Sequence, residues 1–213
     1  MTKIKICGIT NLKDALAAVQ SGADALGFNF YRKSPRYISP GGAAEIIRDL
    51  PEGVARIGVF VNQDIQKIVE IAVKAGLDGI QLHGDESSEF ISDLRNFTDL
   101  EIIKALRVSH TFSAGDVLKY AADAILLDTY SKAEYGGTGE TFNWDIALKV
   151  KSLIPKLYLA GGLSPENAAD AIRKVHPYAV DACSLLEREP GLKNNTTVRA
   201  FIKAVKGVYE LRT

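Results

Sequence analysis

The stretch SGADALGF at residues 21–28 has two counterparts further along the chain, AGLDGIQLH at 75–83 and AADAILLD at 121–128. Each contains a small residue, then an aspartate, then an apolar run of strand length. This order is typical of a helix end that turns into the next strand. Its recurrence indicates a repeated βα unit.

Apolar runs of strand length occur eight times, and segments with helical spacing separate them. In NLKDALAAVQSG (11–22), the apolar residues recur at i, i+3, i+4 and i+7, which is one face of a helix. Residue types favoured at helix starts predict N-caps at Asn11, Ser39, Asn143, Ser164 and Asn195, with Pro40 and Pro165 in first turns. Strand starts are predicted near residues 4, 25, 56, 79, 102, 124, 157 and 178.

Eight such units without a Pro/Gly-rich linker predict an α/β fold, a single-domain (β/α)8 TIM barrel over residues 1–213. A doubly wound open sheet is the structural alternative. The dinucleotide-binding version of that fold lacks support, because no G-x-G-x-x-G follows any predicted strand.

The composition limits the classes of partner that this protein is expected to bind. The 26 basic and 26 acidic residues give a formal net charge of zero, which argues against nucleic acid or an anionic membrane as partner. No apolar run approaches the roughly 20 residues of a membrane span. Two distant cysteines make no disulfide framework or C-x-x-C motif, and three scattered histidines make no metal site. We therefore expect a cytoplasmic protein with reduced thiols.

Active sites of (β/α)8 barrels lie at the carboxyl ends of the strands. Side chains alternate along a strand, so Ile4 and Ile6 should face the helices while Cys7 points into the barrel mouth near a lysine. The same alternation directs Asp128 and Asp181 inward. A neighbouring cation favours the thiolate form of a cysteine. Candidate residues at strand ends are Cys7, Asn29, Asn62, His83, Asp85, Arg107, Asp128, Gly161, Gly162, Asp181 and Ser184.

Three loops carry further signals. LAGGLSPEN (159–167) places Gly161 and Gly162 before a predicted helix, an arrangement that suits a phosphate. YRKSPRYISP (31–40) holds three basic residues that favour an anion clamp, although a solvated basic loop is the simpler interpretation. SKAEYGGTGETFNW (131–144) has the length and glycine content of a mobile lid.

The chain resembles the phosphoribosylanthranilate isomerase family of tryptophan biosynthesis along its whole length. The segments that carry the resemblance are KICGIT (5–10), ALGFNFYRKSPRYISP (25–40), IGVFVN (57–62), GIQLHGDE (79–86), LLDT (126–129), YGGTGETFNW (135–144) and LAGGLSPEN (159–167). The resemblance implies an Amadori rearrangement of N-(5-phosphoribosyl)anthranilate, a small phosphosugar, without a cofactor or metal. It implies either a monomer or a homodimer.

The resemblance also implies a role for each candidate residue. Asp128 would be the general acid and Cys7 the general base. Arg36 would bind the anthranilate carboxylate. The other substrate-binding residues would be Gly161, Gly162, Ser184 and Leu185 at the phosphate, Asp181 at the sugar hydroxyls, and His83.

Strand 8 departs from the family pattern. Where the family reads approximately VDVSSGVE, this chain reads VDACSLLE (180–187), which puts Leu185 at a glycine position and Cys183 at a serine position. If that backbone needs φ > 0, leucine is strained there. Because strands 8 and 1 are neighbours in a closed barrel, Cys183 and Cys7 could come close enough for oxidation to silence the base. Leu185 leaves one alternative open, a catalytically impaired phosphate-binding barrel, and a related phosphosugar isomerase is a second.

Overall fold

The computed structural model describes residues 1–129 and 143–210 of the chain. Eight parallel strands form a closed barrel in chain order, and β8 pairs with β1 through the register Ile4↔Val180. The barrel prediction is confirmed. The strands are β1 (Lys3–Cys7), β2 (Ala25–Asn29), β3 (Ala55–Phe60), β4 (Gly79–Leu82), β5 (Glu101–Val108), β6 (Ala124–Thr129), β7 (Leu157–Leu159) and β8 (Ala179–Ala182).

Helices surround the barrel, and a short hairpin follows β8. A 3₁₀ helix at Ala114–Lys119, rather than an α-helix, connects β5 to β6. The hairpin consists of β9 (Glu187–Glu189) and β10 (Leu192–Lys193). The α-helices are α1 (Leu12–Ser21), α2 (Pro40–Arg48), α3 (Ile65–Ala75), α4 (Ser88–Arg95), α5 (Trp144–Leu153), α6 (Ala168–Val175) and α7 (Asn195–Glu210).

The aspartate of the repeated sequence hydrogen-bonds to the backbone at the start of a neighbouring strand. The Asp24 carboxylate accepts the N–H of Ile4 at 2.9 Å, Asp78 that of Arg56 at 2.8 Å, and Asp123 that of Ile102 at 2.7 Å. Each aspartate precedes an even-numbered strand and pins the start of the strand before it. The repeat thus marks the end of the barrel opposite the candidate site.

The apolar core has two layers, as the alternation predicts. Ile4 and Ile6 belong to the layer between strands and helices. A smaller cluster that includes Ile57, Leu126 and Tyr158 fills the barrel interior. Burial of both faces explains why these strands read as nearly continuous apolar runs.

Three of the five predicted N-caps are confirmed, and two are wrong. The side chains of Asn11, Ser39 and Asn143 each accept a backbone N–H in the first turn of the helix that follows. Helix α6 begins at Ala168 instead of after Ser164, whose N–H donates to the Asn167 side chain at 2.9 Å. The reason is a turn over 164–167 that closes on itself before the helix begins.

Helix α7 is capped one residue earlier than predicted. The side-chain oxygen of Asn194, not that of Asn195, accepts the N–H of Thr196 at 3.1 Å and of Thr197 at 3.3 Å. Two adjacent asparagines are equally good caps by type, so the residue type alone does not decide between them.

In the parts of the chain that the structure describes, no helix is long and apolar enough to cross a bilayer. The predicted lid at 131–144 lies outside the described residues, apart from Asn143 and Trp144. The prediction of a single domain over residues 1–213 stays a prediction.

Candidate active site

The carboxyl ends of the strands and the loops that follow them surround a cavity of about 370 Å³. The nine residues to which the resemblance assigns a role all line this one cavity, whereas the strand-end candidate Asn62 does not. They are Cys7, Arg36, His83, Asp128, Gly161, Gly162, Asp181, Ser184 and Leu185. Asn29 lines it as well, whereas Asp85 and Arg107 form an ion pair outside it. The shared cavity brings the residues together but by itself assigns none of them a role.

Cys7 ends β1 with its thiol buried in the cavity wall, and a glycine on β2 leaves room for the sulfur. Gly27 is the register partner of Cys7. A Cβ at Gly27 would lie 2.6 Å from the Cys7 sulfur and 3.0 Å from Lys5 Nζ, both shorter than ordinary contacts. Gly27 is therefore part of the site, although the sequence analysis did not select it.

Lys5 lies two residues before Cys7 on the same face of β1 and is completely buried. Its Nζ is 3.0 Å from Asp181 Oδ1 on the neighbouring strand β8. Burial opposes its charge, but Asp181 and Cys7 together hold the pKa of Lys5 above its usual value. Burial also raises the pKa of Asp181 to about 7, against the opposing charge of Lys5. A buried cation beside Cys7, predicted from alternation, is confirmed.

Cys183 follows β8, the strand that pairs with β1, and it lines the same cavity as Cys7. Both are free thiols. The hydrogen bond from Cys183, together with the charges of Lys5 and Lys193, holds the pKa of Cys7 well below its usual value despite burial. The same hydrogen bond raises the pKa of Cys183 well above its usual value. These directions favour the thiolate form at Cys7 and the thiol form at Cys183, whose Sγ donates to Glu187 Oε1 at 3.9 Å.

Arg36 reaches the cavity from the loop after β2 and is held by an acid on the hairpin. Its Nε and Nη2 both contact Glu187, at 3.0 and 2.9 Å. Lys193 Nζ lies 2.8 Å from Glu187 Oε1, the oxygen that also accepts from Arg36 Nε. Glu187 occupies one edge of the guanidinium. The Nη1–Nη2 end keeps N–H groups that can donate to a second carboxylate in a two-pronged contact.

Asp128 ends β6, and its carboxylate contacts two groups. Oδ1 accepts the backbone N–H of Thr129 at 2.8 Å, and Oδ2 lies 3.3 Å from His83 Nε2. The other ring nitrogen of His83, Nδ1, is 2.8 Å from Gln81 Nε2. Gln81 was missed by the sequence analysis. The alternation of β4 could have found it, because it is a polar residue on the same inward face as His83.

The loops after β7 and β8 supply backbone donors. Gly161 and Gly162 have φ of 81° and 60°, a conformation that favours glycine. Asn167 Nδ2 donates to the Gly162 carbonyl at 2.8 Å and ties this loop to the start of α6. Within residues 1–129 and 143–210, no partner accepts the N–H groups of Gly161, Gly162, Ser184 or Leu185. This is the type of backbone that binds phosphate.

The strain considered for Leu185 is absent. Among the described non-glycine residues, only Asn62 and His176 have positive φ. Leu185 lies in a short 3₁₀ turn, and its side chain is 41% exposed. Leucine is tolerated there because the turn needs no left-handed backbone and the side chain extends toward solvent. Within the described ranges, no cluster of His, Cys, Asp or Glu side chains is arranged to hold a metal ion.

A closed (β/α)8 barrel with titratable groups and free backbone amides around one cavity at the carboxyl ends of its strands defines a barrel enzyme site for a small anionic substrate. The family model of N-(5'-phosphoribosyl)anthranilate (PRA) isomerase matches residues 4–204, and the chain belongs to this family. It is 48% identical over 208 residues to the N-(5'-phosphoribosyl)anthranilate isomerase of Thermotoga neapolitana, covering 98% of this chain and 100% of that protein.

Solved structures agree with this assignment. A monomeric form of the dimeric enzyme from Thermotoga maritima is 43% identical with a TM-score of 0.87, covering 97% of this chain and 100% of that one. A phosphoribosylanthranilate isomerase in complex with reduced 1-(o-carboxyphenylamino)-1-deoxyribulose 5-phosphate is 42% identical with a TM-score of 0.84, at the same coverage.

The chain is therefore an aldose–ketose isomerase of tryptophan biosynthesis, which converts N-(5'-phosphoribosyl)anthranilate into 1-(2-carboxyphenylamino)-1-deoxyribulose 5-phosphate. The comparisons do not favour the impaired barrel or the related phosphosugar isomerase.

Proposed function

We propose that Cys7 is the general base and Asp128 the general acid of this isomerisation. The observation that carries the proposal is that a thiolate-favouring cysteine and a carboxyl group line the same cavity, each at the end of a barrel strand. Both are buried, so water has little access to the base or to the acid.

The first half of the reaction opens the sugar ring. Protonated Asp128 gives its proton to the furanose ring oxygen, and the bond between C1 and that oxygen breaks. The nitrogen lone pair forms a C1=N double bond, which yields a Schiff base. Because the substrate nitrogen supplies this electron pair, the step needs no cofactor.

The second half moves a proton from carbon. The Cys7 thiolate takes the C2 proton, the C–H electrons form a C1=C2 bond, and the C1=N electrons return to nitrogen. The resulting enolamine loses its O2 proton and gains one at C1 to become the ketone. A thiolate suits this role, and Cys183 and Lys5 favour it by lowering the pKa of Cys7.

Substrate binding follows from the chemistry of the remaining groups. The backbone N–H groups of Gly161, Gly162, Ser184 and Leu185 suit the phosphate. Asp181 suits a sugar hydroxyl, and His83, in the same wall, lies beside the acid. The free edge of Arg36 suits the anthranilate carboxylate, while Glu187 holds the other edge in place. The product-like compound bound to the relative carries these same phosphate and carboxylate groups.

The test is turnover of fresh N-(5'-phosphoribosyl)anthranilate, followed by loss of its fluorescence, for the unmutated chain, Cys7→Ala and Asp128→Asn. We expect kcat to fall about 10²- to 10⁴-fold in each variant with unchanged thermal melts. Full turnover by either variant would refute the role assigned to that residue.

The proposal also covers the cellular location and the oligomeric state of the protein. A base that must remain a thiolate works only where thiols stay reduced, which supports a cytoplasmic location. The Thermotoga maritima relative is described as dimeric, which favours a homodimer over a monomer. Sedimentation velocity at micromolar concentration would distinguish the two states.

A further inference from the structure

Lys193 is a buried lysine behind the wall of the cavity, and the reaction as proposed above gives it no task. Its side chain is 1% exposed. Its Nζ lies 2.8 Å from Glu187 Oε1, 3.3 Å from the Cys183 carbonyl oxygen and 3.8 Å from Cys183 Sγ. These three contacts use the three N–H groups of the ammonium, so none is left for a substrate. Because burial of a charge is costly, the contacts of Lys193 require an explanation.

The β9–β10 hairpin sets the pairing of Lys193 with Glu187. The two residues are register partners across its antiparallel strands. The backbone N–H of Lys193 donates to Asp14 Oδ2 at 2.8 Å, and the Gly191 carbonyl accepts from the Thr10 hydroxyl. The hairpin is therefore fixed to the chain that follows β1.

Glu187 joins this hairpin to Arg36. Its side chain is 3% exposed, and its carboxylate accepts from Arg36 Nε at 3.0 Å and from Nη2 at 2.9 Å. A glycine leaves room for the pair, because a Cβ at Gly8 would lie 2.8 Å from Arg36 Cδ and 3.4 Å from Glu187 Oε1. With Nε and Nη2 bound in this way, the guanidinium has a fixed plane, and its Nη1–Nη2 end remains for a ligand.

Only the guanidinium of this group reaches the cavity. Arg36 lines the cavity, whereas neither Glu187 nor Lys193 is among the described residues that do. A two-pronged contact needs both N–H groups in the plane of the bound carboxylate, so a tilted guanidinium binds it less well. Lys193 and Glu187 can therefore change the geometry of this contact only through Arg36.

We propose that Lys193 and Glu187 are positioning residues that fix the guanidinium of Arg36 for the ring carboxylate, which makes the β9–β10 hairpin the element that selects a carboxylate-bearing substrate. The inference rests on the proposed role of Arg36. A substrate with a plain phenylamino group gains nothing from this arrangement. The preference for the carboxylate thus depends on two residues outside the cavity.

Two probes measure this preference without turnover. One is reduced 1-(o-carboxyphenylamino)-1-deoxyribulose 5-phosphate, the compound bound to a relative. The other is the same molecule made from aniline, which lacks the carboxylate. Their Kd values are measured by calorimetry at one pH. We expect the unmutated protein to bind the first probe about 10²-fold more tightly. In Lys193→Met and in Glu187→Gln we expect this ratio to fall to about 10-fold, with the Kd of the aniline probe nearly unchanged.

Glu187→Gln separates positioning from charge. It removes a negative charge beside Arg36, so attraction alone would make the ratio rise. The carboxamide, however, has one acceptor oxygen where Arg36 and Lys193 now share two, so positioning makes the ratio fall. The amide has nearly the shape of the carboxylate, and this variant therefore tests the inference even if Lys193→Met fails to fold. Arg188→Met removes an exposed cation from the same hairpin and should leave the ratio unchanged.

A ratio that is unchanged or higher in Glu187→Gln would overturn the inference. A merely structural role of Lys193 would lower the affinity for both probes equally. Arg36→Met separates this inference from the role on which it rests, since we expect it to abolish the preference. A full ratio in Arg36→Met would refute the role of Arg36 itself. A ratio lost in Arg36→Met but kept in both hairpin variants would refute only the positioning.

Discussion

Gly27→Ala tests whether the position of the Cys7 sulfur limits the reaction. The added Cβ would lie 2.6 Å from that sulfur and 3.1 Å from the Cys7 Cα, which is backbone of the adjacent strand and cannot yield. Ordinary contacts are about 3.5–4.0 Å, so the sulfur must move by about 1 Å. Displacements of this size reduce catalysis about 10²-fold, equivalent to about 2.7 kcal/mol of transition-state stabilisation.

The assay measures kcat and KM by substrate fluorescence, and unfolding by denaturant. We expect kcat to fall about 10²-fold and the free energy of unfolding to fall by about 1–3 kcal/mol from overpacking. Gly41→Ala is the matched control, because a Cβ there meets nothing within 4 Å. It should leave kcat unchanged. Unchanged kcat in Gly27→Ala, with stability lowered as expected, would refute the idea that the thiol position is critical.

Three further predictions follow from the buried charges and thiols. Lys5→Met removes the cation beside Cys7, so the pKa of that thiol rises and the acid limb of kcat/KM moves to higher pH. The native enzyme, in which the pKa of Cys7 is lowered, stays active at pH values where the variant has lost activity. The Glu86 carboxylate is almost inaccessible to solvent and lies 2.7 Å from Lys104 Nζ. Lys104→Met leaves this carboxylate without its cation. We expect the free energy of unfolding to fall by about 3–5 kcal/mol. Hydrogen peroxide should join Cys7 to Cys183, the thiols losing two protons and two electrons as the peroxide becomes water, and activity should return with dithiothreitol.

Each of these has its own control. Lys3→Met removes an exposed lysine of the same strand and should leave the pH profile in place; an unmoved profile in Lys5→Met would contradict the first prediction. The double variant Lys104→Met, Glu86→Gln should recover most of the lost stability. Cys183→Ser should resist reversible inactivation by peroxide. Two free thiols in the treated native protein would refute the prediction of a disulfide.

The predicted helix starts show where local sequence signals are reliable. Asn11, Ser39 and Asn143 were predicted correctly because each cap bonds within three residues of itself. Ser164 was predicted wrongly, because residues 164–167 form a separate turn, in which Ser164 N–H donates to the Asn167 side chain, before α6 begins at Ala168. Cap chemistry alone carries no information about such a competing turn.

The sequence by itself determined the number of βα units and the inward direction of Cys7, Asp128 and Asp181. These follow from the period-two alternation of strands and from short-range repetition, which are local properties of the chain.

Only the tertiary structure decided which side chains meet. Arg36 and Glu187 are 151 residues apart, and Lys5 and Asp181 are 176 apart. Closure of the barrel between β8 and β1 sets the register that joins them. The sequence contains the residues of such contacts but not their distances, because each contact depends on the packing of all eight strands.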